Sequence, residues 1–238
     1  MTRPGLAWTG RLLKTADLIC RQCEPLAFLL SGLLFVTVSC GYAADADTNN
    51  WRSLFDGKTL AGWKITDFGG QGEVVVEEGQ LVLRSGALLT GVNWTNAIPR
   101  IDYEISIEAK KVNGSDFFCG LTFPVGDTFC TLIVGGWGGG VVGLSNVDDM
   151  DASENETTQY QSFEQGRWYH IRLRVSKERI EVWIDNERFV NQPITGRQIS
   201  LRPGDIELSK PLGLATWQTT GAFRSIRIRE LSAMKPAN

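Results

Sequence analysis

The one histidine in the chain, His170, alternates with Trp168, Arg172 and Arg174 and faces Asp185 across a predicted turn. A carboxylate beside an imidazole can orient the ring and raise its pKa, which suits His170 to act as a general base or a metal ligand. Arg172, on the same side, would place a cation near a developing oxyanion. His170, Asp185 and Arg172 are therefore the catalytic candidates; the same residues would equally form a polar set on a solvated sheet face. Trp168 and Trp183 flank them with flat rings that suit the C–H-rich face of a pyranose, although packing beneath a loop would account for both. Trp137 is the third substrate-binding candidate. Its glycine neighbours, Gly135-Gly136 and Gly138-Gly139-Gly140, cannot bury it and let the backbone approach a ligand closely, although a glycine-rich edge hairpin would account for it equally.

Two acidic groups invite chemistry as well. Asp148, Asp149, Asp151, Glu154 and Glu156 supply oxygen ligands of the kind Ca²⁺ takes, but without EF-hand spacing, so a solvated charge run is the competing reading. Asp102, Glu104 and Glu108 fall on one side of a strand, where they could form an acid and base pair or a solvated outer face. The cofactor stays open, a divalent metal being one option.

These side chains need strands to hold them. Tyr169, Ile171, Leu173 and Val175 alternate with the polar set of the first strand, and Ile180, Val182 and Ile184 with Glu181, Trp183 and Asp185 of the second. With Lys177 and Glu178 at the turn, antiparallel pairing sets Val175 opposite Ile180, Leu173 opposite Val182 and Ile171 opposite Ile184. The polar face then pairs Arg174 with Glu181, Arg172 with Trp183 and His170 with Asp185. A slip of one residue would expose every aliphatic, which defines the register.

Further strands are predicted over most of the chain, from Trp51–Phe55 to Phe223–Leu231, with Gly, Asn, Asp and Pro between them as turns require. No segment has sustained helical periodicity, and eight Trp with 26 Gly suit short strands around an aromatic core. About a dozen largely antiparallel strands need two facing sheets or a barrel to hide their apolar sides. The long strand Arg100–Val112 favours a jelly-roll sandwich.

Residues 1–43 read as a signal peptide, with Arg3, Arg11, Lys14 and Arg21 ahead of an apolar run from Leu26 to Val38. Lipidation at Cys40 is the minority alternative. The protein is expected to be exported, periplasmic or extracellular, with residues 44–238 as a single domain. Cys20 and Cys23 fall in the removed segment, which leaves Cys119 and Cys130 as a possible disulfide or as two buried thiols. With 24 basic and 27 acidic residues, bulk charge offers no attraction to nucleic acid or an anionic membrane, and a small neutral ligand suits it better. The oligomeric state is not legible.

Leu54-Phe55-Asp56-Gly57-Lys58-Thr59-Leu60 followed by Gly62-Trp63 resembles the opening of the 3-keto-disaccharide hydrolase domains, also described as 3-keto-glucoside 1,2-lyase and 3-keto-2-hydroxy-glucal hydratase domains. Arg167 to Arg172, Ile180 to Asn186 and Phe223 to Leu231 support the match. The resemblance implies an all-β, concanavalin A-like jelly-roll sandwich of two antiparallel sheets. It also implies action on an oxidised disaccharide or glycan, by elimination across C1 and C2 followed by hydration; a non-catalytic glycan-binding module is the alternative. One departure is plain: Phe117-Phe118-Cys119-Gly120 stands where similar domains carry a polar strand with Glu, Gln and Asp, so no catalytic residue is carried over.

Overall fold

The computed structural model describes residues 50–231; the predicted signal segment, with Cys20, Cys23 and Cys40, lies outside the described residues. The first strands are β1 (Arg52–Ser53), β2 (Trp63–Ile65), β3 (Val74–Glu77), β4 (Gln80–Leu83), β5 (Leu89–Trp94), β6 (Tyr103–Gly114), β7 (Cys119–Val125) and β8 (Thr128–Gly136). They are followed by β9 (Val141–Ser145), β10 (Gln159–Tyr160), β11 (Trp168–Val175), β12 (Arg179–Ile184), β13 (Glu187–Pro193), a 3-10 turn (Asp205–Ser209), β14 (Gly213–Trp217) and β15 (Thr219–Glu230).

All pairings are antiparallel and form two sheets. One has eight strands in the order β13-β12-β11-β6-β15-β4-β3, with β1 on β15; the other has seven, in the order β10-β9-β8-β7-β14-β5-β2. This is the concanavalin A-like sandwich expected. Alternation along each strand fills the space between the sheets: Tyr103, Ile105 and Ile107 from β6 and Ile171 and Leu173 from β11 meet Leu121 and Phe123 from β7 and Leu132 and Leu144 from β8 and β9.

The β11–β12 hairpin adopts the predicted register, Ile171↔Ile184, Leu173↔Val182 and Val175↔Ile180, with Arg172↔Trp183 and Arg174↔Glu181 on the outer side. Cys119 and Cys130 are free and buried rather than bridged. Cys119 pairs with Val134 and Cys130 with Phe123, so the thiols sit about four residues apart along the ladder, roughly 13 Å at the rise of a strand and beyond the reach of a disulfide. Burial also pushes the Cys130 thiol up to about 12, which keeps it protonated and unreactive.

Candidate functional site

A cavity of about 410 Å³ opens on the outer face of the seven-stranded sheet. Its floor follows from the period of two. Where Cys130, Leu132 and Leu144 turn inward, their neighbours Thr131, Ile133 and Ser145 turn outward, and Leu89 and Trp217, paired across β5 and β14, extend the floor. No charged side chain stands among these floor residues; Thr131 shares a hydrogen bond of 2.9 Å with Thr122 of β7. Glycine lets the walls rest directly on the sheet. A Cβ at Gly120 would lie 2.9 Å from the Phe117 ring, and one at Gly143 would lie 2.7 Å from the carbonyl oxygen of Ala152.

The walls carry the charge. Asp116 and Phe117, just before β7, stand on one side, with Trp137 from the β8–β9 turn. Asp116 accepts from the backbone N–H of Phe117 at 2.7 Å and of Gly138 at 3.4 Å, tying its carboxylate to the turn that carries Trp137. Trp137 adopts a left-handed φ of 48° and remains 42% exposed at the rim. Opposite, the segment leading to the 3-10 turn supplies Arg202, Pro203, Asp205 and Ile206. Arg202 lies 5.8 Å from the Trp137 ring centroid and pairs with Asp151 at 3.2 Å. Asp205 is exposed, and no hydrogen bond or ion pair engages its carboxylate among the described residues.

The acidic loop lies outside the cavity lining, joined to it by the Arg202–Asp151 pair, and Asn155 organises it from within. Asn155 donates to the carbonyls of Leu144, Asp151 and Met150 at 2.7, 2.8 and 3.0 Å and accepts from the Thr157 N–H and hydroxyl at 2.9 and 2.6 Å. Asp148 and Glu156 both pair with Arg197, at 2.8 and 2.7 Å. Among the described residues, no group of three His, Cys, Asp or Glu side chains converges to hold a metal ion.

Of the residues singled out from sequence, Trp137 lines this cavity, whereas His170, Arg172, Trp168 and Trp183 lie on the outer face of the other sheet. The predicted His170–Asp185 contact forms through the main chain. Asp185, at a left-handed φ of 54°, turns its carboxylate back to accept from the His170 N–H at 2.9 Å and from Arg167 at 2.8 Å. The imidazole instead meets Ser106, with Nε2 2.9 Å from Oγ. Arg172 lies 3.9 Å from the Trp183 ring centroid and 3.5 Å from Glu104. Asp205, Arg202 and Trp217 were not distinguished in the sequence. They belong to segments distant in the chain, and no local spacing marks their convergence.

The expected solvated ladder Asp102, Glu104, Glu108 also differs in the structure. Glu104 has no exposed side-chain surface: Arg174 and Arg229 each reach it at 2.6 Å and cover it. Glu108 receives Arg224 through Nε and Nη2 at 3.1 and 3.2 Å and Ser225 at 2.8 Å, and Arg224 holds its carboxyl below the ordinary value, with Ser225 adding to the effect. Folding depresses this pKa. The resulting stabilisation is complete above the ordinary value of 4.5 and is lost as pH falls through the lower folded value. Glu108→Gln should therefore flatten the acid-side decline in melting temperature, as read from thermal melts between about pH 2 and 6.

A model of the 3-keto-alpha-glucoside-1,2-lyase-like domain matches residues 50–229. Among solved structures, the apo form of the Crh5 transglycosylase superposes with a TM-score of 0.50 at 10% identity, covering 77% of this chain and 84% of that one. The carbohydrate-binding module CBM66 from Bacillus subtilis gives 0.48 at 12% identity, covering 71% of this chain and 96% of its own. Domain 4 of AbnA, a GH43 extracellular arabinanase from Geobacillus stearothermophilus in complex with arabinotriose, gives 0.46 at 14%, covering 71% and 82%. The likeness to the transglycosylase extends to the fold alone. No curated protein matches the chain.

Proposed function

The chain belongs to the 3-keto-alpha-glucoside-1,2-lyase-like domain family, a carbohydrate-active family, and from that premise we propose that it is an exported domain that cleaves 3-keto-glycosides in the cavity of the seven-stranded sheet. The observation that carries this reading is the composition of the cavity: Trp137 and Phe117 above an uncharged floor that includes Trp217, with Asp205, Asp116 and Arg202 on the walls. Aromatic faces hold a pyranose ring, while the few polar groups fix its orientation.

A 3-keto group acidifies the hydrogen on C2. Asp205, whose carboxylate is unengaged, removes that proton, and Arg202 balances the charge that develops on the C3 oxygen. The C2 electron pair forms the C1–C2 double bond and expels the glycosidic oxygen, which takes a proton from water and leaves as the free alcohol, the resulting hydroxide recovering the proton held on Asp205. Water then adds at C1 and C2 regains a proton, for net hydrolysis. Asp116 is a positioning residue, through the turn that bears Trp137.

Incubation of the purified protein with 3-keto-trehalose, with and without Mg²⁺, is expected to release 3-keto-glucose. Asp205→Asn should lower kcat/KM by roughly 100-fold or more, while His170→Ala, on the opposite sheet, should leave turnover unchanged. A second reading, a glycan-binding module without turnover, is favoured by the floor, where Gly120, Thr122 and Thr131 occupy the strands that could have carried acids. Retained calorimetric binding of the sugar with no product under either metal condition would select it.

A further inference from the structure

The outer face of the eight-stranded sheet holds more cations than it needs. Its three central strands, β11, β6 and β15, align the rows Arg174–Glu104–Arg229, Arg172–Ser106–Arg227 and His170–Glu108–Arg224, with Lys110 next to Trp168 beyond them. On these three strands six cations face two carboxylates, with Glu181 of β12 reaching Arg174 at 4.0 Å from the side, on a chain whose formal net charge is −3. The first and third rows each place a glutamate between basic side chains. The middle row has Ser106 in that position, so two guanidiniums flank an uncharged hydroxyl.

The contacts around Ser106 hold this arrangement in place. Its Oγ, in a residue only 2% exposed, lies 2.9 Å from His170 Nε2 and accepts from Arg227 at 3.4 Å. Arg172 lies against Trp183 and 3.5 Å from Glu104, while Arg227 lies 5.4 Å from the Trp51 ring centroid, so tryptophans hold both guanidiniums near the row. Arg174 and Arg229 both lie closer to Glu104 and leave Arg172 the outermost of its partners. We propose that this face is a second binding surface, for a carboxylated polysaccharide, with a uronate carboxylate seated over Ser106 between Arg172 and Arg227.

The chemistry of the face favours that ligand over other polyanions. Guanidinium forks match carboxylate geometry, and three neighbouring strands present successive rows to an extended chain. Bases would need open aromatic faces; Trp168 instead has Lys110 and Arg224 at 4.5 and 4.1 Å from its ring centroid, and Trp51 and Trp183 are similarly engaged by arginine. A membrane would need apolar side chains to insert. Among the described residues the exposed large hydrophobics, Ile65, Leu88, Trp137, Met150, Tyr160 and Leu208, all lie off this sheet.

Calorimetric titration of the full chain with tetragalacturonate should give binding that weakens with salt, and maltotetraose should give none at this face. Arg227→Gln should raise the dissociation constant about tenfold or more. Ser106→Glu, which completes the glutamate row, should do so at least as strongly; Arg227 is exposed, so its variant keeps the test valid if Ser106→Glu fails to fold. Absence of tetragalacturonate binding, or affinity unchanged in Arg227→Gln, would overturn the proposal. Tighter binding of duplex DNA or of phosphatidylglycerol vesicles, lost in the same variants, would overturn it in favour of those partners.

Discussion

Glu104→Ala is expected to lower stability by about 3 kcal/mol, at the low end of the range for breaking a buried ion pair. The carboxylate has no exposed surface and receives Arg174 and Arg229 at 2.6 Å and Arg172 at 3.5 Å. Its removal leaves these guanidiniums facing one another across β6 without their shared anion. Arg174, Arg229 and Arg172 retain 34%, 14% and 33% side-chain exposure, so water recovers part of the loss. For a domain of this size the corresponding fall in melting temperature is roughly 6–12 °C. Glu104→Gln, which keeps the shape and one acceptor, should lose less. Thermal and urea melts of both variants check this, and a loss under about 1 kcal/mol for the alanine would mean the pairs behave as solvated surface bridges.

Phe118→Ala should cost about 3–5 kcal/mol, as large-to-small changes at buried aromatics do. The ring is fully buried, edge-on to Phe163 at 5.1 Å and 6.0 Å from Tyr169, and those two rings meet at 5.0 Å. Tyr169 in turn accepts from the Glu164 N–H at 2.8 Å, so the triad also anchors the segment entering β11. The neighbouring Phe117→Ala is the informative control. Its ring points to the cavity instead, so it should weaken sugar binding with a smaller effect on stability. Urea denaturation should show a lower midpoint for Phe118→Ala at unchanged slope.

The contrast between these neighbours marks how far sequence reasoning reaches. Cys119, Leu121 and Phe123 face the core along β7, so continued alternation would have turned Phe117 inward and Phe118 outward; the chain instead bends just before β7, sending Phe118 to the core and Phe117 to the cavity. The glycines on both sides of Trp137 left two readings open, a cleft rim and a glycine-rich hairpin, and the structure joins them, with the ring on the β8–β9 turn at the cavity's edge. Arg202 and Asp205 were not, since they belong to a loop whose position is set by contacts with the acidic segment and with β14.

Asp185 and Glu104 show two further kinds of limit. The hairpin register placed Asp185 opposite His170, but a left-handed backbone at the strand end redirected its carboxylate to the main chain. Glu104 read as a solvated acid because its arginines arrive from β11 and β15, far away in sequence, and bury it on what is nominally the outer face.

The chain by itself determined the strands, the β11–β12 register and the sandwich, because a period of two leaves one arrangement that hides the aliphatics. Its opening motif also pointed to the family. Only the tertiary structure decided which sheet carries the cavity, because curvature and loop placement arise from contacts between distant segments. It set the cavity on the sheet opposite the hairpin, and placed His170 and Arg172 beside Ser106 in a basic row of their own.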